Sequence, residues 1–80
     1  MNDLKYITYD NGISRVIVMF SPIIQHVNMA MDLRVDPTEV IGAGFINMRE
    51  NETPYCYGKS VSLQKECHAE DNEILRNHFD

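Results

Sequence analysis

The stretch KYITYDNGISRVIVMF, residues 5–20, decides the fold. Residues 5–9 alternate and are rich in Tyr, Ile and Thr, which favours a pleated strand. Asn-Gly follows at residues 11–12, and it predicts a tight hairpin because both turn positions favour positive φ. Residues 13–20 contain an unbroken apolar run and are the predicted return strand, with apolar cover on both faces. The chain is therefore expected to open with a β-hairpin.

Two helices are predicted in the rest of the chain. Ser21-Pro22 is typical of a helix start, because Ser accepts a bond from a free N–H and Pro fits the first turn. Apolar residues between 23 and 31 then fall on one stripe, which predicts an amphipathic helix ending near Leu33. Pro37 prevents its continuation. The acids after residue 68 suit a helix N-terminus and predict a second helix over residues 68–79.

Two further strands complete the predicted fold. They cover residues 40–48 and 55–63, and Gly42 and Gly44 in the first of them indicate a bulge or a close backbone approach. The order ββαββα predicts one α+β domain over residues 1–80, with a four-stranded, mainly antiparallel sheet packed against two helices. If both helices covered one face, the other face would need a second copy or a protein partner to cover it.

The length and the net charge of the chain argue against some classes of function. The 80 residues carry twelve acids against seven bases, and the net charge is −5. The bases stand singly, whereas nucleic-acid and anionic membrane surfaces require clustered Lys and Arg. No signal peptide is recognisable, and no apolar run reaches the ~20 residues that span a bilayer. The expected location is the cytoplasm, with Cys56 and Cys67 as reduced thiols.

The short chain also predicts self-association. A domain of this size buries only about 60–65% of the surface that its unfolded form exposes. Two cysteines form at most one bridge, so no disulfide framework stabilises it. We therefore expect a homo-oligomer, most simply a homodimer.

A metal- or thiol-dependent function is one alternative. Its residues would be Cys56, Cys67, His68 and His78, which have the right types for a structural zinc but lack the spacing of a zinc knuckle. The simpler interpretation is two packed cysteines and two surface histidines. His26 is likewise expected at the solvent edge of the first helix. No catalytic residue and no cofactor is predicted, and the chain is not expected to be an enzyme.

The preferred interpretation is a non-enzymatic protein-interaction module. Two tyrosines fall on each predicted hairpin, and each pair is expected to share one strand face. Tyrosine is a rigid, amphipathic anchor that is enriched at interfaces, although it also packs in cores. An acidic mimic of nucleic acid that binds a basic protein is a further alternative, for which the net charge is modest. The predicted interface residues are Tyr6, Tyr9, Tyr55 and Tyr57.

Four short motifs resemble small uncharacterised proteins carried by bacteriophages and prophages. They cover about half the chain, and they are Ala43-Gly44-Phe45, Cys56-Tyr57-Gly58, Ser60-Val61-Ser62-Leu63 and Glu70-Asp71. The resemblance implies no activity, cofactor or catalytic residue. It implies a compact accessory protein that acts through protein contact.

Overall fold

The computed structural model describes residues 3–49 and 51–79 and has an α+β fold. Its elements are β1 (Leu4–Asp10), β2 (Arg15–Phe20), α1 (His26–Asp32), a 3-10 turn (Pro37–Glu39), β3 (Val40–Asn47), β4 (Tyr55–Tyr57), β5 (Lys59–Ser60), β6 (Lys65–Glu66) and α2 (Ala69–Phe79). None of the helices in these two ranges has the length and apolar character needed to cross a membrane.

The main sheet confirms the predicted architecture. Its four strands run in the order β2-β1-β3-β4, and every neighbouring pair is antiparallel. The opening hairpin is confirmed, but its turn differs from the prediction: the loop has four residues, only Gly12 of the Asn-Gly pair has a positive φ, and the return strand begins at Arg15 instead of residue 13. The Asn11 Oδ1 accepts bonds from the backbone N–H groups of Ile13 and Ser14, both at 2.9 Å. Gly12 has a φ of +94°, so the loop uses the glycine in the left-handed region.

Helix α1 is shorter than predicted. The Ser21-Pro22 signal instead forms an isolated turn, in which the Ile24 N–H donates to the Ser21 carbonyl at 3.1 Å. Ile23, expected on the apolar stripe, is 89% exposed. The helix ends in a Schellman motif, because Arg34 adopts a φ of 62° and the Val35 N–H donates to the Ala30 carbonyl at 2.9 Å.

The glycines of β3 mark close backbone approaches, as predicted. A Cβ on Gly42 would collide with the Asp71 carboxylate of α2, and one on Gly44 would lie 2.5 Å from the Tyr57 carbonyl oxygen. The register between β1 and β3 also shifts between Thr8 and Tyr9. Both features let α2 and β4 pack closely on this central strand.

The prediction of one strand over residues 55–63 is wrong. Strand β4 stops after three residues, because Gly58 takes a φ of +78° and redirects the chain. Strands β5 and β6 then form a separate two-stranded sheet. After β6 the chain returns to the end of β4, where the Cys67 N–H donates to the Gly58 carbonyl at 3.0 Å.

The two helices cover opposite faces of the main sheet. One core cluster packs Ile7, Phe20 and Ala43 of the sheet against Ala30 of α1. The other packs Tyr6, Ile46 and Cys56 against Leu75 of α2. The two helices therefore do not share one face, and the sheet, over the residues that the structure describes, has no wholly uncovered face that would need a second copy or a protein partner. We call the two sides the α1 face and the α2 face. Each helix covers part of one face of this sheet, and the end of the α1 face at β4 stays partly exposed.

Candidate functional site

The structure separates the four predicted tyrosines. Tyr6 is fully buried on the α2 face, where no partner can reach it. Tyr9 is half-buried against the cluster on the α1 face. The expectation that this pair shares one face is therefore wrong, since residues three apart on a strand point to opposite sides. Tyr6 is a core residue rather than an interface residue.

The other two tyrosines form an exposed aromatic surface with Phe45. Tyr55 and Tyr57 are 47% and 38% exposed. Phe45 lies opposite Tyr57 in the sheet, with ring centroids 5.8 Å apart and planes 27° from parallel. The Tyr55 ring follows, 6.0 Å from Tyr57. These three rings, which we call the aromatic strip, run across β3 and β4 and bring together half of the predicted interface set.

Hydrogen bonds fix the strip at its hydroxyl ends. The Asn47 Nδ2 donates to the Tyr55 hydroxyl oxygen at 2.8 Å, and the Tyr57 hydroxyl donates to the Asp3 carboxylate. The bond to Asp3 raises the pKa of Tyr57, because it stabilises the protonated phenol. Both rings are thus held in place by bonds within the protein itself.

A cationic groove adjoins the strip at Phe45. The groove has a volume of about 440 Å³ and opens widely to solvent. None of its described lining residues is acidic, although the whole chain carries a net charge of −5. At the side of the groove, the Lys5 Nζ donates a hydrogen bond to the Ile24 carbonyl at 3.0 Å. The lining residues are Lys5, Gln25, His26, Phe45, Lys59, Val61 and Ser62.

His26 is a core histidine and not the solvent-edge residue that was predicted. Only 4% of its surface is exposed, and its Nε2 lies 2.8 Å from the Gly44 carbonyl oxygen. Burial lowers the pKa of His26, and the neighbouring Lys5 charge acts in the same direction. The neutral ring therefore donates to Gly44. It also makes edge-on contacts with Phe20 and Phe45, linking the core to the groove.

A buried polar network under α2 was missed from the sequence. Asp71, interpreted as a first-turn surface acid, is only 1% exposed. Its carboxylate accepts bonds from the Tyr6 hydroxyl at 2.5 Å and the His68 N–H at 3.0 Å, and the Thr8 hydroxyl lies 3.5 Å away. A signal was available, since Asp71 precedes the buried Leu75 by four residues and so shares its helix face.

This network stabilises the fold and has no opening for a substrate. Burial raises the pKa of Tyr6, and the Asp71 carboxylate raises it further, so the phenol stays protonated and serves as a donor. Gly42 leaves the space that the carboxylate occupies. Each of these groups therefore holds another in place, and none is free to act on a ligand.

The two cysteines pack beside this network. Cys56 is buried and Cys67 is half-buried, and both contact the cluster that contains Tyr6. Burial raises the pKa of Cys56 to about 12, with the nearby Cys67 and Asp71 adding to the effect. At neutral pH the Cys56 thiol is therefore protonated and a poor nucleophile.

The four residues of the metal hypothesis do not converge. Cys56 and Cys67 lie in one cluster, but His68 and His78 stand ten residues apart along the α2 segment, about 15 Å at helical rise. Within residues 3–49 and 51–79, no three His, Cys, Asp or Glu side chains are grouped in a way that could hold a metal ion.

Among the described residues, the acids on the side of α2 share their surface with a base, which does not suit a nucleic-acid mimic. Asp10, Glu70 and Glu73 line one shallow depression, but Arg15 lies in the same depression. Its Nη1 is 2.9 Å from the Glu70 carboxylate, and its Nε is 3.8 Å from that of Asp10. Arg15 therefore partly neutralises the Glu70 carboxylate in this depression.

Comparisons with protein-family models, with curated proteins and with solved structures found no match.

Proposed function

We propose that the protein is a non-enzymatic interaction module that binds an acidic segment of a partner protein. The binding surface combines the aromatic strip with the adjoining cationic groove. Exposed tyrosines whose hydroxyls are already fixed suit the anchor role that such residues play at interfaces. The single observation that carries the proposal is this aromatic strip, in which Phe45 stacks on Tyr57, Tyr55 lies tilted beside it, and both tyrosines are exposed.

The groove specifies the charge of the partner. Lys5 and Lys59 line the groove together with Phe45, and its described lining contains no acid, although Glu66 stands opposite Lys59 in the β5–β6 pair. An acidic side chain of the partner would lie between the two ammonium groups, and an apolar neighbour would pack on Phe45. The groove is shallow, whereas small-molecule sites bury most of their ligand. A peptide segment therefore fits it better than a metabolite.

Strand addition at β4 is not the binding mode. The backbone N–H of Cys56, which faces away from β3, donates to the Asn72 Oδ1 of α2 at 2.7 Å. This side chain occupies the position that an added strand would need. Recognition at this site therefore relies on side chains, which makes the three rings and the two lysines the residues to test.

The test is selection from two displayed peptide libraries with the same aromatic content, one rich in Glu and Asp and one rich in Lys. We expect enrichment from the acidic library only. Replacing both lysines in the Lys5→Gln, Lys59→Gln variant should weaken binding of a selected peptide about tenfold, and Tyr57→Ala should weaken it similarly.

Ile13→Ala is the matched control, because Ile13 is 94% exposed on the hairpin loop away from the site. It should leave peptide binding unchanged. Far-UV circular dichroism of each variant checks that the fold is intact. Equal enrichment from both libraries, or binding that survives the lysine and tyrosine changes, would contradict the proposal.

The kinship with bacteriophage and prophage accessory proteins stays a prediction. An accessory role would be compatible with a small module that acts by contact. The metal- or thiol-dependent alternative has less support, because His68 and His78 stand about 15 Å apart at helical rise and Cys56 is protonated at neutral pH.

A further inference from the structure

The sheet has one open edge, and it is β2. This strand pairs only with β1 and ends the strand order. At the opposite end, β4 is three residues long and its outward N–H is bonded to Asn72. The two edges therefore differ, and only β2 presents an extended run of backbone groups to solvent.

The outward-facing groups of β2 follow from the hairpin. The Asn11 N–H donates to the Ser14 carbonyl at 3.1 Å, which fixes the hydrogen-bonding phase of the β1–β2 ladder. Val16, Val18 and Phe20 then direct their backbone groups toward β1. Those of Arg15, Ile17 and Met19 point outward, and within the described residues they have no hydrogen-bond partner.

Strand β2 lacks the devices that usually protect an edge. Natural edge strands carry Lys, Pro, a bulge or an inward-pointing charge. Strand β2 has the sequence RVIVMF, and its pairing with β1 is regular over all six residues. Its only charge, Arg15, stands at one end and pairs with Glu70. The remaining five residues are apolar and favour pairing with another strand.

We propose that β2 pairs antiparallel with β2 of a second copy, forming a symmetric homodimer with a continuous eight-stranded sheet. The two-fold axis passes between Ile17 and Ile17 of the partner copy. This register places Arg15 opposite Met19 of the other copy and Val16 opposite Val18. It uses all the outward backbone groups of the strand.

Self-complementarity is the reason for choosing a second copy as the occupant. In this register β-branched side chains face each other, and such cross-strand pairs are favourable. The two Arg15 side chains lie at opposite ends of the paired strands, so like charges do not meet. A groove of about 380 Å³ beside the edge would be covered by the same contact; Val16, Ile17 and Ile74 line it together with the polar Arg15, Asn77 and His78.

The residue on the axis provides a charge-swap test. Ile17→Lys and Ile17→Glu each place two like charges opposite each other, so each variant alone should dissociate at least about tenfold more readily than the native chain. An equimolar mixture should restore the dimer, because Lys then faces Glu. Sedimentation velocity over a range of concentrations measures all three samples. A native chain that stays at the protomer mass, or variants that dimerise alone as well as mixed, would overturn the proposal.

Hydrogen exchange of the native chain tests the same contact if a variant fails to fold. Exchange of the Ile17 and Met19 amides should slow as the protein concentration rises, since they would become bonded only in the dimer. Exchange of the Val18 amide, bonded to β1 in either state, serves as the internal control. Concentration-independent exchange at Ile17 would overturn the proposal. The aromatic strip lies at the other end of the sheet, so either proposal can fail without the other.

Discussion

The two faces of the sheet are covered by helices of similar role but different chemistry. Under α1 the contacts are mainly apolar, with Ile7, Phe20 and Val40 as the fully or nearly buried residues. Under α2 the centre is a hydrogen-bonded network around the Asp71 carboxylate. Apolar packing tolerates small changes of shape, whereas a buried charge must keep its partners. The α2 face should therefore fix the position of its helix more strictly.

The largest effect is expected from Asp71→Ala. The change leaves the Tyr6 hydroxyl and the His68 N–H without their charged acceptor, so the free energy of unfolding should fall by about 3 kcal/mol. Urea denaturation at pH 7 measures it. Glu70→Ala is the matched control on the same helix, because its ion pair with Arg15 is exposed and contributes at most about 1 kcal/mol. Equal losses in the two variants would show that the network does not differ from the surface.

A smaller effect is expected on the α1 face from Ile7→Val. The change removes one methyl group from a fully buried side chain and should lower the free energy of unfolding by about 1 kcal/mol. Ile13→Val makes the same change at an exposed position and should have almost no effect. Urea denaturation again provides the values. If Ile7→Val lowered the free energy of unfolding as much as Asp71→Ala does, the α1 and α2 faces would not differ in their tolerance of change.

The smallest effect is expected from the histidine that enters the α1 face. Burial lowers the pKa of His26, so the unfolded chain takes up its proton first as the pH falls through about 6.5. Stability from this group is complete above that pH and declines below it. The urea midpoint should therefore fall between pH 7 and 5.5, and His26→Gln should flatten the slope. Ile13→Val, which changes no titratable group, should leave the slope unaltered.

Local patterns predicted the four strands of the main sheet and the two helices, but not the separate β5–β6 pair. Alternation, the Asn-Gly signal and the glycines of β3 each act within a few residues, and the structure confirms the hairpin, β3 and the four-stranded antiparallel sheet. The helix start at Ser21-Pro22 was wrong because the same residues also satisfy an isolated turn. Only contacts distant in sequence decide between the two outcomes, such as the bond from His26 to Gly44.

Only the part of the candidate site that depends on neighbouring residues could be predicted from the sequence. Tyr55 and Tyr57 alternate on one strand, so their shared face follows from sequence. The burial of Tyr6 does not, because it depends on Asp71, which lies 65 residues away. The cationic groove also escaped prediction, since Lys5 and Lys59 come together only when the β5–β6 hairpin turns back at Gly58.

The bond from Cys56 to the Asn72 side chain has a consequence for the size of any assembly. A sheet that is open at both ends can recruit copies without limit and grow into a filament. Here the Asn72 side chain blocks the β4 edge, so a sheet can gain a second copy only through β2. After that one pairing, no open edge is left for a third copy. If β2 pairs with a second copy as proposed, the stoichiometry would be limited to two, and the Asn72 bond would prevent growth into a fibre from the β4 edge.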